Sequence, residues 1–356
     1  MDFRFTEEQT MFRDVVRDFL DRECTPKDVR ALSETDEAGL AGLRGKVAEL
    51  GLTGLALPEA HGGLGLSEID AVLAAEECGR AALPLALFEN AAVAGPLLHA
   101  VSESLAAEWL AKVAAGGATI AFGHPINPFV IDGESADLLL LESGGAIHAV
   151  PHDRAKATAA PSIDETRRRA KIDWTPSPDT KVAQAAEAWD LAFDRAALYA
   201  AADMIGAAQR MLDMAVTYAG ERQQFGRPIG SFQAVKHLLA DVQVKLTFAR
   251  PVVYYAAYAI ANRLPDRSLR VSHAKAAAGE AATFAARRTL QTHGAIGYTY
   301  EYDLQLWMKR VWADEPSWGT SAWHRARIAS EVLAPNAILG PGGTWADLGP
   351  GRTRKA

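Results

Sequence analysis

The sequence is poor in cysteine, has no long apolar run and shows no excess of basic charge, and each shortage excludes a class of protein. Cys24 and Cys78 are the only thiols, with no C-x-x-C and no His pair nearby, which leaves neither a zinc site nor a disulfide framework. Two buried thiols in a reducing compartment are the expectation. No segment approaches the roughly 18 uninterrupted apolar residues of a membrane span. The opening MDFRFTEEQT carries acids at once and no basic-then-apolar leader, so a cytoplasmic protein without membrane attachment is expected. A formal charge of -7 speaks against a sequence-independent grip on nucleic acid, which needs clustered Lys and Arg. The one basic cluster, Arg167, Arg168 and Arg169, follows Asp164 and Glu165 and reads as a solvated face. His148 and His152 invite a metal, but on an extended chain such a pair lies about 13 Å apart, so they read as ordinary surface histidines and no metal is expected.

What is present is 49% hydrophobic and 23% charged residues over 356 positions, the balance of a soluble globular protein of two or three domains. Thr6 with Gln9 forms a capping box ahead of Met11, Phe12, Val15, Val16, Phe19 and Leu20, one apolar stripe at helical spacing, and Pro26 closes or bends that helix. A second stripe, Leu40, Leu43, Val47 and Leu50, stops at Gly51. The Gly-rich loop at 55–66 then leads to Ser67, which caps the next helix, and two further helices follow around 89–101 and 103–115. Between Gly116 and Lys181 the texture changes to short apolar runs, TIAFG, DLLLLE and AIHAV, separated by turn residues, which is the pattern of strands. Long alanine-rich helices return after Val182, with Val235, Leu238, Leu239, Val242 and Leu246 as one core-facing stripe. The expected fold is mainly α with a small β domain: an N-terminal helical domain at 1–115, a shortened middle β domain at 116–181, a C-terminal four-helix bundle at 182–340 and a mobile tail at 341–356.

Two glycine-bearing helix ends can carry chemistry. In GERQQFGRPIGSFQAVKH, residues 220–237, Arg222 can offer a planar fork of donors to a diphosphate, Phe225 a face for a flat heterocycle and Gly226 a backbone without Cβ bulk. Taken alone, the same residues read more readily as an Arg that caps carbonyls and a Phe that plugs the gap between two helices. In LQTHGAIGYTYEYDLQLWMKR, residues 290–310, Gln291 can donate and accept, and Gly294 and Gly297 allow close backbone approach, or simply stop a helix.

Taken in this order, the motifs resemble the acyl-CoA dehydrogenase family over nearly the whole chain. The resemblance rests on the opening T-E-E-Q helix, the P-E-x-H-G-G-x-G loop at 58–65, R-x-x-F-G at Arg222 to Gly226, the Gln-x-x-Gly segment from Gln291, and W-G-T-S-A-W-H-R at 318–325. It implies a helical, β, helical architecture assembled as tetramers, FAD as cofactor, and α,β-dehydrogenation of an acyl-CoA thioester with an electron-transfer flavoprotein as acceptor. It further implies that Arg222, Phe225, Gly226, Gln291 and Gly294, with Phe232 as an additional candidate, reach across a subunit interface to the adenine and pyrophosphate end of a neighbour's FAD. Ala295 stands where the motif has its second Gly.

The chain departs from the family where the chemistry is done. The usual catalytic Glu position holds Trp318, and the alternative position on an earlier helix, ten residues before Gly206, holds Ala196. Asp203 shares a helix face with Ala196 but lies about 10 Å away along the axis, and Asp194 is two residues off, so neither replaces the base well. The family's T-E-x-x-x-G-S-D and W-I-T-N stretches, which contact the flavin ring, are replaced by AFGHPINPFVIDGESADLLLL. Intact trans segments, an eroded flavin pocket and a missing base resemble the shortened subunits of actinobacterial α2β2 acyl-CoA dehydrogenases that oxidise bulky steroid-CoA thioesters, paired with a homologous subunit. A complete homotetrameric enzyme and a non-catalytic assembly subunit are the alternatives.

Overall fold

The computed structural model describes residues 4–34, 37–335 and 337, so the tail expected to be mobile lies outside the described residues. The chain opens with α1 (Glu7–Glu23), α2 (Pro26–Ser33), α3 (Glu37–Glu49), α4 (Glu68–Ala81), α5 (Gly95–Val101) and α6 (Glu103–Ala114). Thr6 and Gln9 exchange backbone and side-chain hydrogen bonds at 2.9 and 3.2 Å, and Pro26 is the first residue of α2 rather than a bend in α1. Val16 and Leu20 are buried, whereas Met11 is 67% and Val15 49% exposed, so only one edge of the α1 stripe meets α4.

Seven short strands follow: β1 (Ile120–Phe122), β2 (Val130–Ile131), β3 (Leu138–Ser143), β4 (Ala146–Pro151), β5 (Ala155–Ala160), β6 (Arg169–Trp174) and β7 (Lys181–Ala183). They form a four-stranded sheet in the order β1-β3-β4-β7, with β1 parallel to β3, and a three-stranded antiparallel sheet in the order β2-β6-β5. The run Leu138 to Leu141 is buried on both faces because side chains alternate: Leu138 and Leu140 enter the main core, Leu139 and Leu141 a smaller one between the sheets.

The last block consists of α7 (Ala186–Glu221), α8 (Gln233–Ala261), α9 (Arg267–His293), α10 (Leu304–Asp314) and α11 (Ser321–Val332). The three long helices pack on one another, α10 lies against α7 and α9, and α11 lies against α9. Alanine lets these helices close in. Where α4 crosses α7 even a methyl is excluded: a Cβ at Gly206 would sit 1.8 Å from the Glu76 carbonyl oxygen, and one at Gly79 2.0 Å from that of Asp203. Gly206→Ala should therefore destabilise the fold by about 3 kcal/mol, at the upper end of overpacking costs, because backbone must move. Gly220→Ala, near the end of α7 with nothing within 4 Å, should be neutral or stabilising. Urea unfolding of the two variants checks the pair.

Two surface expectations are corrected. Arg167 is buried at 5% exposure, and Arg169 reaches the Ala313 carbonyl at 2.7 Å, so the basic cluster is an internal tie between the sheets and α10 instead of a solvated face. His148 is also buried, on β4, with Nδ1 2.9 Å from Thr180 Oγ1, while His152 stays exposed and meets the Ala136 carbonyl. The β4–β7 edge covers His148, which sequence distance alone did not reveal. Cys24 and Cys78 are buried free thiols, as expected.

Candidate functional site

The connection from α7 to α8, residues 222–232, contains a hairpin with a two-residue turn. Gln224 pairs with Arg227, and the residues between them, Phe225 at φ 53° and Gly226 at φ 75°, both have the positive φ that the tight primed turns require. Glycine adopts this freely, but a bulky aromatic does so under strain. Phe225 is nevertheless 91% exposed and gains only an edge contact with Phe232, whose ring Arg227 covers at 4.2 Å. Arg222 ends α7: its N–H donates to the Tyr218 carbonyl and its own carbonyl accepts from Ile229, while its exposed side chain has no partner among the described residues. The second motif sits at the same end of the bundle. Tyr218, in the last turn of α7, stacks on His293, in the last turn of α9, at 4.6 Å. Next to this stack, Gln291, Gly294 and Ala295 are exposed, and Gly294 has φ 65° with open space where a Cβ would go. Gly297 differs: it is buried against Leu290 and His293, so its glycine serves packing and not ligand approach.

The position of the usual base lies in a different environment. Trp318 is buried and left-handed at φ 58°, and its ring stacks on Phe122 of β1 at 5.4 Å with a 10° interplanar angle. Trp189 packs edge-on against Phe122 at 4.8 Å, His124 stacks on Trp189, and Phe193 fills the side toward Trp323. Each such pair contributes about 0.5–1.5 kcal/mol beyond its area. The strained loop is held at three points. Trp318 N–H donates to Asn127 Oδ1 at 2.9 Å, the Trp318 carbonyl meets His324 Nε2 at 2.9 Å, and Lys275 Nζ donates to the Gly319 carbonyl at 3.1 Å and that of Glu315 at 2.8 Å. Burial, then the nearby Lys275 charge, pushes His324 down to about 3, so the ring is neutral. A carbonyl only accepts, so Nε2 carries the hydrogen and Nδ1 accepts from Ser272 Oγ at 3.1 Å.

The remaining acids are locked in ion pairs. Asp194 is fully buried, accepts from Ser268 Oγ at 2.6 Å and pairs with Arg267 and Arg327. Asp203 pairs with Arg167 and Arg310 at 3.1 and 3.4 Å. Ala196 is a core residue between them. The sequence reading missed Phe122, Asn127, Trp189, Phe193 and Lys275 as parts of this region. A signal existed for Lys275: it falls on the buried helical stripe of Val271, Ala278 and Ala282 and so had to find acceptors inside. Among the described residues no group of three or more His, Cys, Asp or Glu could hold a metal, and no helix is long and apolar enough to cross a membrane.

The chain thus has helices before and after a small pair of sheets, with two glycine turns at one end of its last helical block. Residues 187–333 match the acyl-CoA dehydrogenase C-terminal domain and residues 6–117 the acyl-CoA dehydrogenase N-terminal domain. The chain is 35% identical over 330 residues to acyl-CoA dehydrogenase IpdE2 of Mycolicibacterium smegmatis, covering 92% of this chain and 100% of that one. It superposes on a structure of the ChsE4-ChsE5 complex from Mycobacterium tuberculosis with TM-score 0.85 and 23% identity, covering 95% and 100% of the two chains. A variant of the Tcur3481-Tcur3483 steroid ACAD gives TM-score 0.84 and 24% identity, covering 93% and 99%. The chain belongs to the acyl-CoA dehydrogenase family, whose members are oxidoreductases that use FAD.

Proposed function

We propose that this chain is one subunit of a heteromeric, FAD-dependent dehydrogenase that introduces an α,β double bond into a bulky, steroid-type acyl-CoA. In this reading the chain lends the Arg222 to Phe232 hairpin and the Gln291 to Ala295 turn to the adenine and pyrophosphate end of an FAD held mainly by a homologous partner. That partner supplies the carboxylate base, and an electron-transfer flavoprotein is the electron acceptor. The observation that carries the reading is the direct stack of Trp318 on Phe122. In the family the base position and the ring-contacting stretch must leave room for flavin and thioester, and here the two touch. The residues present therefore do not fit a flavin ring in this chain's own pocket. They do fit the other end of the cofactor: an unpartnered guanidinium and an exposed aromatic kept at a strained backbone position contribute nothing to this chain alone. The aromatic stack and the hairpin end are also too far apart to be one compact site, since Lys275 and Gln291 are separated by about 24 Å along α9. The two-chain names of the structural neighbours, ChsE4-ChsE5 and Tcur3481-Tcur3483, support a heteromer, and the steroid designation of the second supports the substrate class.

The test is to express the chain alone and together with candidate homologous subunits, and to read flavin absorbance per chain. The isolated chain should be colourless, and the assembled pair should hold FAD and reduce an artificial acceptor with a steroid-CoA thioester. A yellow, stoichiometrically flavinylated homomer would instead identify a complete homotetrameric enzyme. A partner whose flavin content is the same with and without this chain would identify an assembly subunit.

A further inference from the structure

Beyond the hairpin, α8 lies on the bundle surface as a ridge between two grooves. Its core-facing stripe holds Leu239, Val242, Leu246 and Val253. On the opposite side Val244 and Phe248 are 54% and 73% exposed, and exposed Ala240 and Pro251 continue the row at helical spacing. One groove, of about 480 Å³, runs between α7 and α8. The other, of about 500 Å³, lies between α8 and α9 and reaches Trp312, 38% exposed near the end of α10. A row of bulky apolar side chains that covers nothing in its own chain marks a contact with another protein.

The two grooves differ in charge. Phe284 of α9 lines the second, with Lys245 Nζ 5.0 Å and the Arg288 guanidinium 4.8 Å from its ring centre, so two like charges flank one ring. Arg287 lines the same groove, and none of the three cations makes an ion pair among the described residues. The acids are fewer and mostly engaged. Glu280 pairs with Arg325, Glu315 accepts from the Ser321 N–H at 3.0 Å, and only Asp241, one turn before Lys245, stands unpaired. Ser321 Oγ, also in this groove, is buried without a hydrogen-bond partner.

We propose that the α8 ridge is where the homologous partner of the heteromer docks, and that Lys245, Arg287 and Arg288 select that partner by requiring carboxylates on the helices that face them. This rests on the heteromeric reading above. Charge makes the occupant a partner and not a second copy. An antiparallel two-fold pairing of α8 with itself sets two cationic flanks against each other, and a parallel one sets them against the α7–α8 groove, where Asp213 is the single acid among the lining residues. The chain's own segment after Pro341 carries Arg352, Arg354 and Lys355, again of the wrong sign. The ridge is also continuous with the hairpin. Helix α8 starts at Gln233, next to Phe232, and Phe248 lies about 24 Å further along it, a span that one interface of ordinary size covers.

The test is analytical ultracentrifugation of the chain mixed with a charge-reversed copy of itself, Lys245→Glu with Arg287→Glu, which presents the same ridge beside an acidic flank. Both positions are exposed, so the copy should unfold at the wild-type midpoint. At about 50 mM salt the mixture should associate at least about tenfold more tightly than either chain alone, about 500 mM salt should disperse it, and Phe248→Asp in the wild type should abolish it. A mixture no heavier than its components overturns the proposal. So does a wild type whose own association is broken by Phe248→Asp, because a second copy is then the occupant. A measurement on the wild type needs no variant to fold: its affinity for the co-purified homologous subunit should fall about tenfold between the same two salt concentrations, and an affinity indifferent to salt overturns the selection by charge. These readouts are masses and need no flavin, so failure of the docking surface is distinguishable from failure of the heteromeric reading, which flavin content tests.

Discussion

Arg222→Ala should empty the assembled protein of FAD while leaving the unfolding midpoint of the isolated, flavin-free chain unchanged. Deleting a charged partner of a diphosphate costs about 2–5 kcal/mol, more than tenfold in affinity. The isolated fold should not register the loss, because the side chain is exposed and has no hydrogen-bond or ion-pair partner among the described residues. Flavin absorbance per chain after gel filtration of the co-purified assembly, read beside thermal unfolding, checks both halves. Flavin content that stays at the wild-type level would reduce Arg222 to a plain helix-end arginine and would remove the trans contact from the functional reading.

The largest loss of stability should come from Arg310→Leu. This side chain is fully buried and bonds Asp164, Asp203, Thr166 and the carbonyls of Ala82 and Leu83, tying all three parts of the chain together. Leucine would leave a buried carboxylate without its partner and two carbonyls without donors, a change that costs about 3–5 kcal/mol. An exposed pair offers the control: Arg325 with Glu280 on the outer face of α11 and α9, where Arg325→Leu should change stability by no more than about 0.5 kcal/mol. Denaturant unfolding of both variants measures the contrast. A loss of less than about 1 kcal/mol for Arg310→Leu would mean that water enters the junction and replaces the guanidinium.

The two exposed ligand segments were legible as motifs, yet the structure adds the reason to take them seriously. Phe225 taken alone reads more readily as a plug between helices, and its 91% exposure at φ 53° rules that role out. Trp318 and Ala196 were visible as non-bases from residue type alone. That Trp318 closes onto Phe122 was not visible, since the two lie in different domains and nothing in either segment names the other. The basic cluster hides its role for the same reason: Arg167 to Arg169 beside Asp164 and Glu165 look self-neutralising, whereas Arg167 reaches Asp203 and Asp314, and Arg169 the Ala313 carbonyl.

Helix caps, apolar stripes, strand runs and glycine stops are set by residues within a turn or two of one another, and these the order of amino acids specifies directly. Thr6 with Gln9, Pro26, Ser67 and the four leucines of β3 needed nothing else. The fate of the ionisable and aromatic groups was decided at longer range. Arg310 meets Asp164 across 146 positions and Trp318 meets Asn127 across 191. A buried charge or ring must find its partner wherever packing delivers one, because leaving it unpaired costs several kcal/mol, and which partner is delivered depends on how α4, α7, α9 and α10 cross.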